Sequence, residues 1–315
     1  MRGRPFFLVF LIVFFTINVV FGESFYVTNP DEFQNALTIA DSNEEDDVIN
    51  VAAATYNITS TLTYFTNDGD SGHKLTIHGA GADKTVLDGG GSVQILYINT
   101  DPDCNHDDGG DVTIEGMAFK NGYGGVAVRG NSINITIKEC IFSENSGYHG
   151  GVHAYSYTGT VTITNNTFSK NSAILAGGGV DVTSRHSTIT IRNNAFLKNL
   201  AGLSDGGGVQ AWSESGTIII ANNTFSGNSG RVGGGVSAEV DSGTIIITNN
   251  TFSGNSARRG YGADGGGVYA SSYYGPITIL NNTFSKNLGY FGGGVFARLY
   301  TDSPTLDELR IFGVQ

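Results

Sequence analysis

Two carboxylates, Asp181 and Glu239, fall on one outward strip of this chain, two repeat units apart. With parallel strands stacked about 4.8 Å apart, their Cα atoms stand roughly 9 to 10 Å from each other, near the carboxyl separation of an inverting glycoside hydrolase. Around them the strip carries His153, Tyr155, Gln210, Trp212 and Tyr269. Aromatic faces beside amide and carboxylate groups are the chemistry of sugar binding, so these seven residues are expected to receive an extended polysaccharide. In an enzyme, Asp181 and Glu239 would be the reacting pair. Scattered acids of an acidic protein also reach this spacing by chance. The leading expectation is therefore a non-catalytic, adhesin-like exported surface that binds extracellular polysaccharide or another cell-surface ligand. The alternative is a polysaccharide lyase or glycoside hydrolase acting on an extended glycan. No arginine is expected on this face in the neighbouring coils, and no column gathers the several acids of a calcium-dependent lyase.

A second group of oxygen donors lies earlier in the chain. Asp101, Asp103, Asn105 and Asp107 alternate in one loop, a pattern of hard ligands able to wrap calcium. The spacing departs from the helix-loop-helix form, with His106 where glycine is needed and Val112 where a bidentate glutamate belongs. Calcium at this loop is set against an ordinary solvated turn, and no other cofactor is expected. The histidines His73, His78, His106, His149, His153 and His186 show no paired ligand spacing, so zinc or copper is not expected.

What positions the strip is a repeat of roughly 27 residues. Phe142, Phe168, Phe196, Phe225, Phe252 and Phe284 follow one another at 26, 28, 29, 27 and 32 residues, with a degenerate copy at Phe119. Glycine runs closed by Val126, Val152, Val180, Val209, Val236, Val268 and Val295 keep the same step. Strands at a fixed period without helical patterning predict an all-β solenoid in which each unit is one coil buried by its neighbours. Alternating pairs such as Ile189 and Ile191, or Ile218 and Ile220, mark one inward strand face. Asn166, Asn194, Asn223, Asn250 and Asn282 share a column with Met117 and Cys140, so that column is expected to face inward as a structural ladder of amides. The preceding column holds Gly116, Glu139 and Asn165 and is expected to face solvent. Asn145, Asn171, Asn199, Asn228, Asn255 and Asn287 form a second ladder, and the glycines serve turns or close stacking of coils.

Asn29-Pro30-Asp31-Glu32 predicts a short helix over residues 30–41, with Phe33, Ala36, Leu37 and Ala40 covering the first open coil. Four segments result: a secretory signal at 1–22, the helix and irregular coils at 23–110, regular repeats at 111–300, and a tail or partial cap at 301–315. Residues 1–22 carry Arg2 and Arg4 before an apolar run from Phe6 to Phe21, shorter than the ~20 residues of a membrane span. The formal charge of −12 becomes −14 once those two arginines are removed, which argues against nucleic acid or an anionic membrane as partner. The expected location is secreted or at the cell surface, with no membrane span after cleavage. Cys140 is expected in the core, unpaired with Cys104.

The combination of Phe-x-x-Asn, Gly-Gly-x-Val and strands such as Thr244-Ile-Ile-Ile-Thr-Asn-Asn-Thr-Phe252 resembles the repeats of chlamydial polymorphic outer-membrane proteins. The opening, through Leu75-Thr-Ile-His-Gly-Ala-Gly81 to Thr85-Val-Leu-Asp-Gly89, is similar to that of exported bacterial right-handed parallel β-helix proteins. The resemblance covers about residues 24–300. It implies a right-handed parallel β-helix of exported, surface or adhesin type. The chlamydial proteins carry a C-terminal membrane barrel, whereas some fifteen residues follow the last coil here.

Overall fold

The repeat closes into a parallel β-solenoid in the computed structural model, which describes residues 22–66, 72–101, 109–258, 262, 264–300 and 309–313. Three long faces run its length as sheets of eleven, nine and nine strands, and a fourth sheet of five short strands lies at one corner. Every strand pairs in parallel with its counterpart one coil away, so equivalent residues stack: Ile189 on Ile218, Phe196 on Phe225, Val209 on Val236. Of the expected signal segment at 1–22 only Gly22 is among the described residues, and Cys104 and most of the acidic loop lie outside them.

Both inward columns form as the alternation predicts. Ile189, Ile191, Ile218 and Ile220 are fully buried. The phenylalanines stack ring on ring, with centroids 4.8 Å apart and planes within 3° between Phe196 and Phe225. Burying one such side chain stabilises the fold by about 1.5–3 kcal/mol. The column gains its specificity from the amides beside it. Asn194 donates from Nδ2 to the Ile163 carbonyl at 2.9 Å, while Asn223 Oδ1 accepts from the Asn194 backbone N–H at 2.9 Å and from its Nδ2 at 3.1 Å. The same pattern runs from Asn166 through Asn250 to Asn282. It repeats in the second ladder, where Asn199 Nδ2 donates to the Phe168 carbonyl at 3.0 Å. These amides satisfy buried turn groups that strand pairing leaves over, and their own polar atoms find partners in turn.

Asn165, Asn193, Asn222, Asn249 and Asn281 face solvent, and all hold φ near +57°. Asparagine tolerates that left-handed turn better than branched residues, and Glu139 and Gly116 occupy the same conformation in the earlier coils. The glycine runs serve both purposes expected of them. Gly206 has φ +66°, and a Cβ on Gly208 would lie 2.6 Å from the Gly235 carbonyl oxygen of the next coil.

The helix Pro30–Ala40 closes the first coil. Asn29 Oδ1 accepts from the Glu32 N–H at 2.9 Å, and Phe33, Ala36, Leu37 and Ala40 are buried. Gln34 adds a cap that the pattern did not announce. Its amide accepts from the Thr63 N–H at 2.8 Å and donates to the Thr63 carbonyl at 3.0 Å, occupying the free edge of the nine-stranded sheet. At the other end Leu309–Phe312 forms a further strand beside Ile277–Leu280. Cys140 is buried with a free thiol, and burial pushes its pKa up to about 12.

Candidate functional site

The nine-stranded sheet that contains Val152–Ser156 and Val209–Ser213 presents the strip in two outward columns. Tyr97, Ala127, His153, Asp181, Gln210, Ser237, Tyr269 and Phe296 form one; Asn99, Arg129, Tyr155, Thr183, Trp212, Glu239, Ser271 and Arg298 form the other. Asp181 and Glu239 thus differ by two residues along the strand as well as by two coils. Their Cα atoms are about 12 Å apart on standard strand spacings, beyond the distance that coil stacking alone suggests.

Asp181 is committed to histidines. His153 Nδ1 lies 2.8 Å from Asp181 Oδ2, and His149 Nδ1 lies 3.3 Å from the same oxygen. The two imidazoles stack with centroids 3.9 Å apart. Burial alone would raise the Asp181 pKa, but the bonds from His149 and His153 outweigh it and hold the carboxyl well below the usual carboxylate range. His149 reaches this position through an irregularity in the corner sheet, where the register with Ser172–Ala176 shifts between Gly147 and His149. Such a shift re-aims a side chain that regular pairing would send elsewhere.

The other ring nitrogen of His153 faces a guanidinium, with Arg129 Nη2 3.1 Å from Nε2. A guanidinium only donates, so Nε2 must carry the lone pair of a neutral imidazole, and Nδ1–H then donates to Asp181. Burial lowers the His153 pKa and the Asp181 carboxylate offsets this only in part, so the neutral ring is favoured. His153 therefore has its tautomer fixed on both sides. Arg129 stands two coils before Asp181, beyond the neighbouring coils in which no arginine is expected.

His149, His153 and Asp181 also bring three potential cation ligands within 4.8 Å of one another, a grouping that sequence spacing did not bring together. Arg129 opposes its use. Ligation through His153 Nδ1 would move the proton to Nε2 and aim it at the guanidinium, whereas the bond to Arg129 needs the lone pair there.

A cleft of about 650 Å³ opens at the C-terminal ends of the strands, lined by Asn99, Asp101, Arg129, Gly130, Asn131, His153, Tyr155, Tyr157 and Arg185. Arg185 lies over the rings of Tyr157 and Trp212, with Cζ 5.4 and 5.8 Å from their centroids. A second cleft of about 440 Å³ lies at the N-terminal ends and includes Tyr97, Tyr123, Tyr148, His149 and Leu175. Arg129 and His153 line both.

Of the expected strip, His153 and Tyr155 stand in the larger cleft and Asp181 lies bonded to His153 beneath it. Gln210, Trp212, Glu239 and Tyr269 continue the two columns outside the lining of either cleft. Glu239 has its pKa raised by burial and by the Asp205 carboxylate, and burial pushes Tyr269 up to about 12. Of the expected calcium ligands, Asp101 is buried in the wall of the larger cleft, while Asp103, Asn105 and Asp107 lie outside the described residues. Arg129, Arg185, His149 and Tyr157 are the residues that sequence reasoning missed. Arg129 was within reach: it follows Val126 by three residues, as Tyr155 follows Val152.

The family model described as "Right handed beta helix region" matches residues 64–239 and 176–308. No curated protein sequence matches the chain. Among solved structures, a PL6 family alginate lyase, AlyGC, is 16% identical with a TM-score of 0.45, over 84% of this chain and 35% of that one. The chain thus spans about a third of that protein's length. The pectate lyase Pel9A is 15% identical with a TM-score of 0.45, over 94% of this chain and 80% of that one. The A-module of mannuronan C-5 epimerase AlgE4 from Azotobacter vinelandii is 14% identical with a TM-score of 0.39, over 90% and 95%.

Proposed function

The chain belongs to the right-handed β-helix family, and from that premise we propose that it acts outside the cell on an extended acidic polysaccharide, cleaving it by β-elimination at the Arg129–His153 pair. The observation that carries this reading is the 3.1 Å contact between the Arg129 guanidinium and the lone pair of His153 Nε2. It puts a carboxylate receptor beside a base. In a chain with 29 acidic residues against 17 basic ones, Arg129 and Arg185 meet in one cleft with Tyr155 and Tyr157, a setting for sugar rings that bear carboxylates.

A uronate carboxylate is a stronger partner for Arg129 than a neutral imidazole. When it binds, the guanidinium turns to it and His153 Nε2 is released to take the proton from the carbon next to the carboxylate. That C–H electron pair becomes the new C=C bond, the C–O bond to the neighbouring sugar breaks, and its oxygen takes a proton from the Tyr155 hydroxyl. Asp181 holds the imidazole in the tautomer that makes Nε2 the base and stabilises the imidazolium that forms. Hydrolysis by Asp181 and Glu239 fits less well, because Asp181 is bonded to His153 with His149 Nδ1 3.3 Å away, and the carboxylates lie on a diagonal.

A panel of acidic and neutral polysaccharides, followed by the ultraviolet absorbance of the new double bond, tests the proposal. Unsaturated product from an acidic polymer, abolished in His153→Gln, is the expected result. Binding of acidic polymers with no product from any of them would leave a non-catalytic, adhesin-like surface that uses the same arginines. Preference for neutral polymers would end both readings.

A further inference from the structure

We infer that the smaller cleft, walled by Tyr123 and Tyr148, is a second sugar-binding subsite for the same polysaccharide, so that the glycan crosses the solenoid along the strand direction instead of lying along its axis. This inference rests on the acidic-polysaccharide reading above.

The two clefts lie at opposite ends of the same strands. On each strand a residue of the smaller cleft precedes one of the larger: Tyr97 comes before Asn99, Ala127 before Arg129, and His153 before Tyr155. Only Arg129 and His153 belong to both, so a chain occupying the two clefts must pass over the reacting pair. Along the axis the geometry differs. Neither cleft extends past the coil that carries Leu175 and Arg185, although the columns themselves continue through Gln210 and Trp212.

The smaller cleft also has the chemistry of a sugar subsite without a second charge receptor of its own. The rings of Tyr123 and Tyr148 meet edge to face with centroids 6.0 Å apart, and Tyr148 is 57% exposed. Exposed aromatic faces beside hydrogen-bonding imidazoles and a guanidinium suit a pyranose ring, which offers an apolar face and an equatorial rim of hydroxyls. The irregularity that brings His149 to Asp181 lies at Tyr148, so one local departure from the repeat shapes both the base and this wall. Sugars held on both sides of the reacting pair make cleavage internal to the polymer.

The test uses uronate oligosaccharides of increasing length, labelled at the reducing end, with the full chain and its Tyr148→Ala, Tyr148→Trp and Tyr274→Ala variants. The wild type should release internal fragments, with kcat/KM rising with length. Tyr148→Ala should lose roughly three- to tenfold in kcat/KM on the longer oligomers and little on the shortest one cleaved. Tyr148→Trp should retain the length dependence, and Tyr274→Ala, on a distant exposed ring, should match the wild type. Release of products stepwise from one chain end, or a Tyr148→Ala variant as length-dependent as the wild type, overturns the crossing path alone. Failure to bind or cleave any uronate oligomer overturns the polysaccharide reading and the inference with it.

Discussion

The coils from Tyr97 to Arg185 and those from Ile189 to Tyr274 share one backbone plan and differ in what their outward columns hold. In the later coils the inward isoleucines, phenylalanines and both amide ladders repeat almost without change, and their hydrogen bonds stay between 2.8 and 3.1 Å from coil to coil. The earlier coils hold Met117 and Cys140 where the first ladder has amides, break the outward pattern with Arg129, His153, Tyr155 and Asp181, and shift register near Tyr148. Uniform columns carry stability. Broken ones carry the chemistry.

Substitutions in the two regions should separate these roles. His153→Gln should lower kcat by about 10²- to 10⁴-fold, the usual worth of a general base, while the melting temperature stays close to that of the wild type. In the wild type the same base gives kcat/KM an acid limb, falling as pH drops through an apparent pKa below 6.5, because burial favours the neutral ring. A limb centred above 6.5 would contradict the environment described for His153. Phe196→Ala should do the reverse. Loss of a fully buried ring costs about 3–5 kcal/mol in denaturant unfolding, with affinity for glycan per folded molecule unchanged.

Asn223→Ala probes the ladder at one rung. It strips the Asn194 backbone N–H of its acceptor and the Asn194 side-chain amide of one of its acceptors, and should cost about 1–3 kcal/mol, again without touching the clefts. The smallest effect concerns cations at the histidines. Zinc should leave the wild-type melting temperature unmoved, since Arg129 holds the lone pair of His153 on Nε2, whereas Arg129→Ala frees the tautomer and should let zinc raise it. A zinc-induced rise in the wild type would show that the guanidinium does not control the ring.

Legibility in the sequence follows the same division. The ladders, the inward columns and the helix with buried Phe33 and Leu37 could be read because each rests on a repeated spacing or a local capping signal. The orientation of the asparagine columns was readable from their exceptions, Met117 and Cys140 against Gly116 and Glu139. The cleft was readable in part. His153 and Tyr155 follow from the columns, and Arg129 would have followed had they been extended one coil earlier. His149 could not be foreseen, because a local register shift aims it. Arg185 and Tyr157 come from turns just beyond their strands, where the repeat dictates no direction.

The proposed chemistry requires that Arg129 and Asp181 hold His153 as a neutral imidazole with its lone pair on Nε2, ready to be released by a carboxylate. Nitrogen NMR of the labelled imidazole across pH, with and without a uronate oligosaccharide, measures this directly. Nδ1 should be protonated and Nε2 unprotonated down to a pKa below 6.5, and the Nε2 resonance should move when the oligosaccharide draws Arg129 away. A ring protonated on Nε2 at neutral pH, or an Nε2 signal indifferent to the ligand, would contradict it.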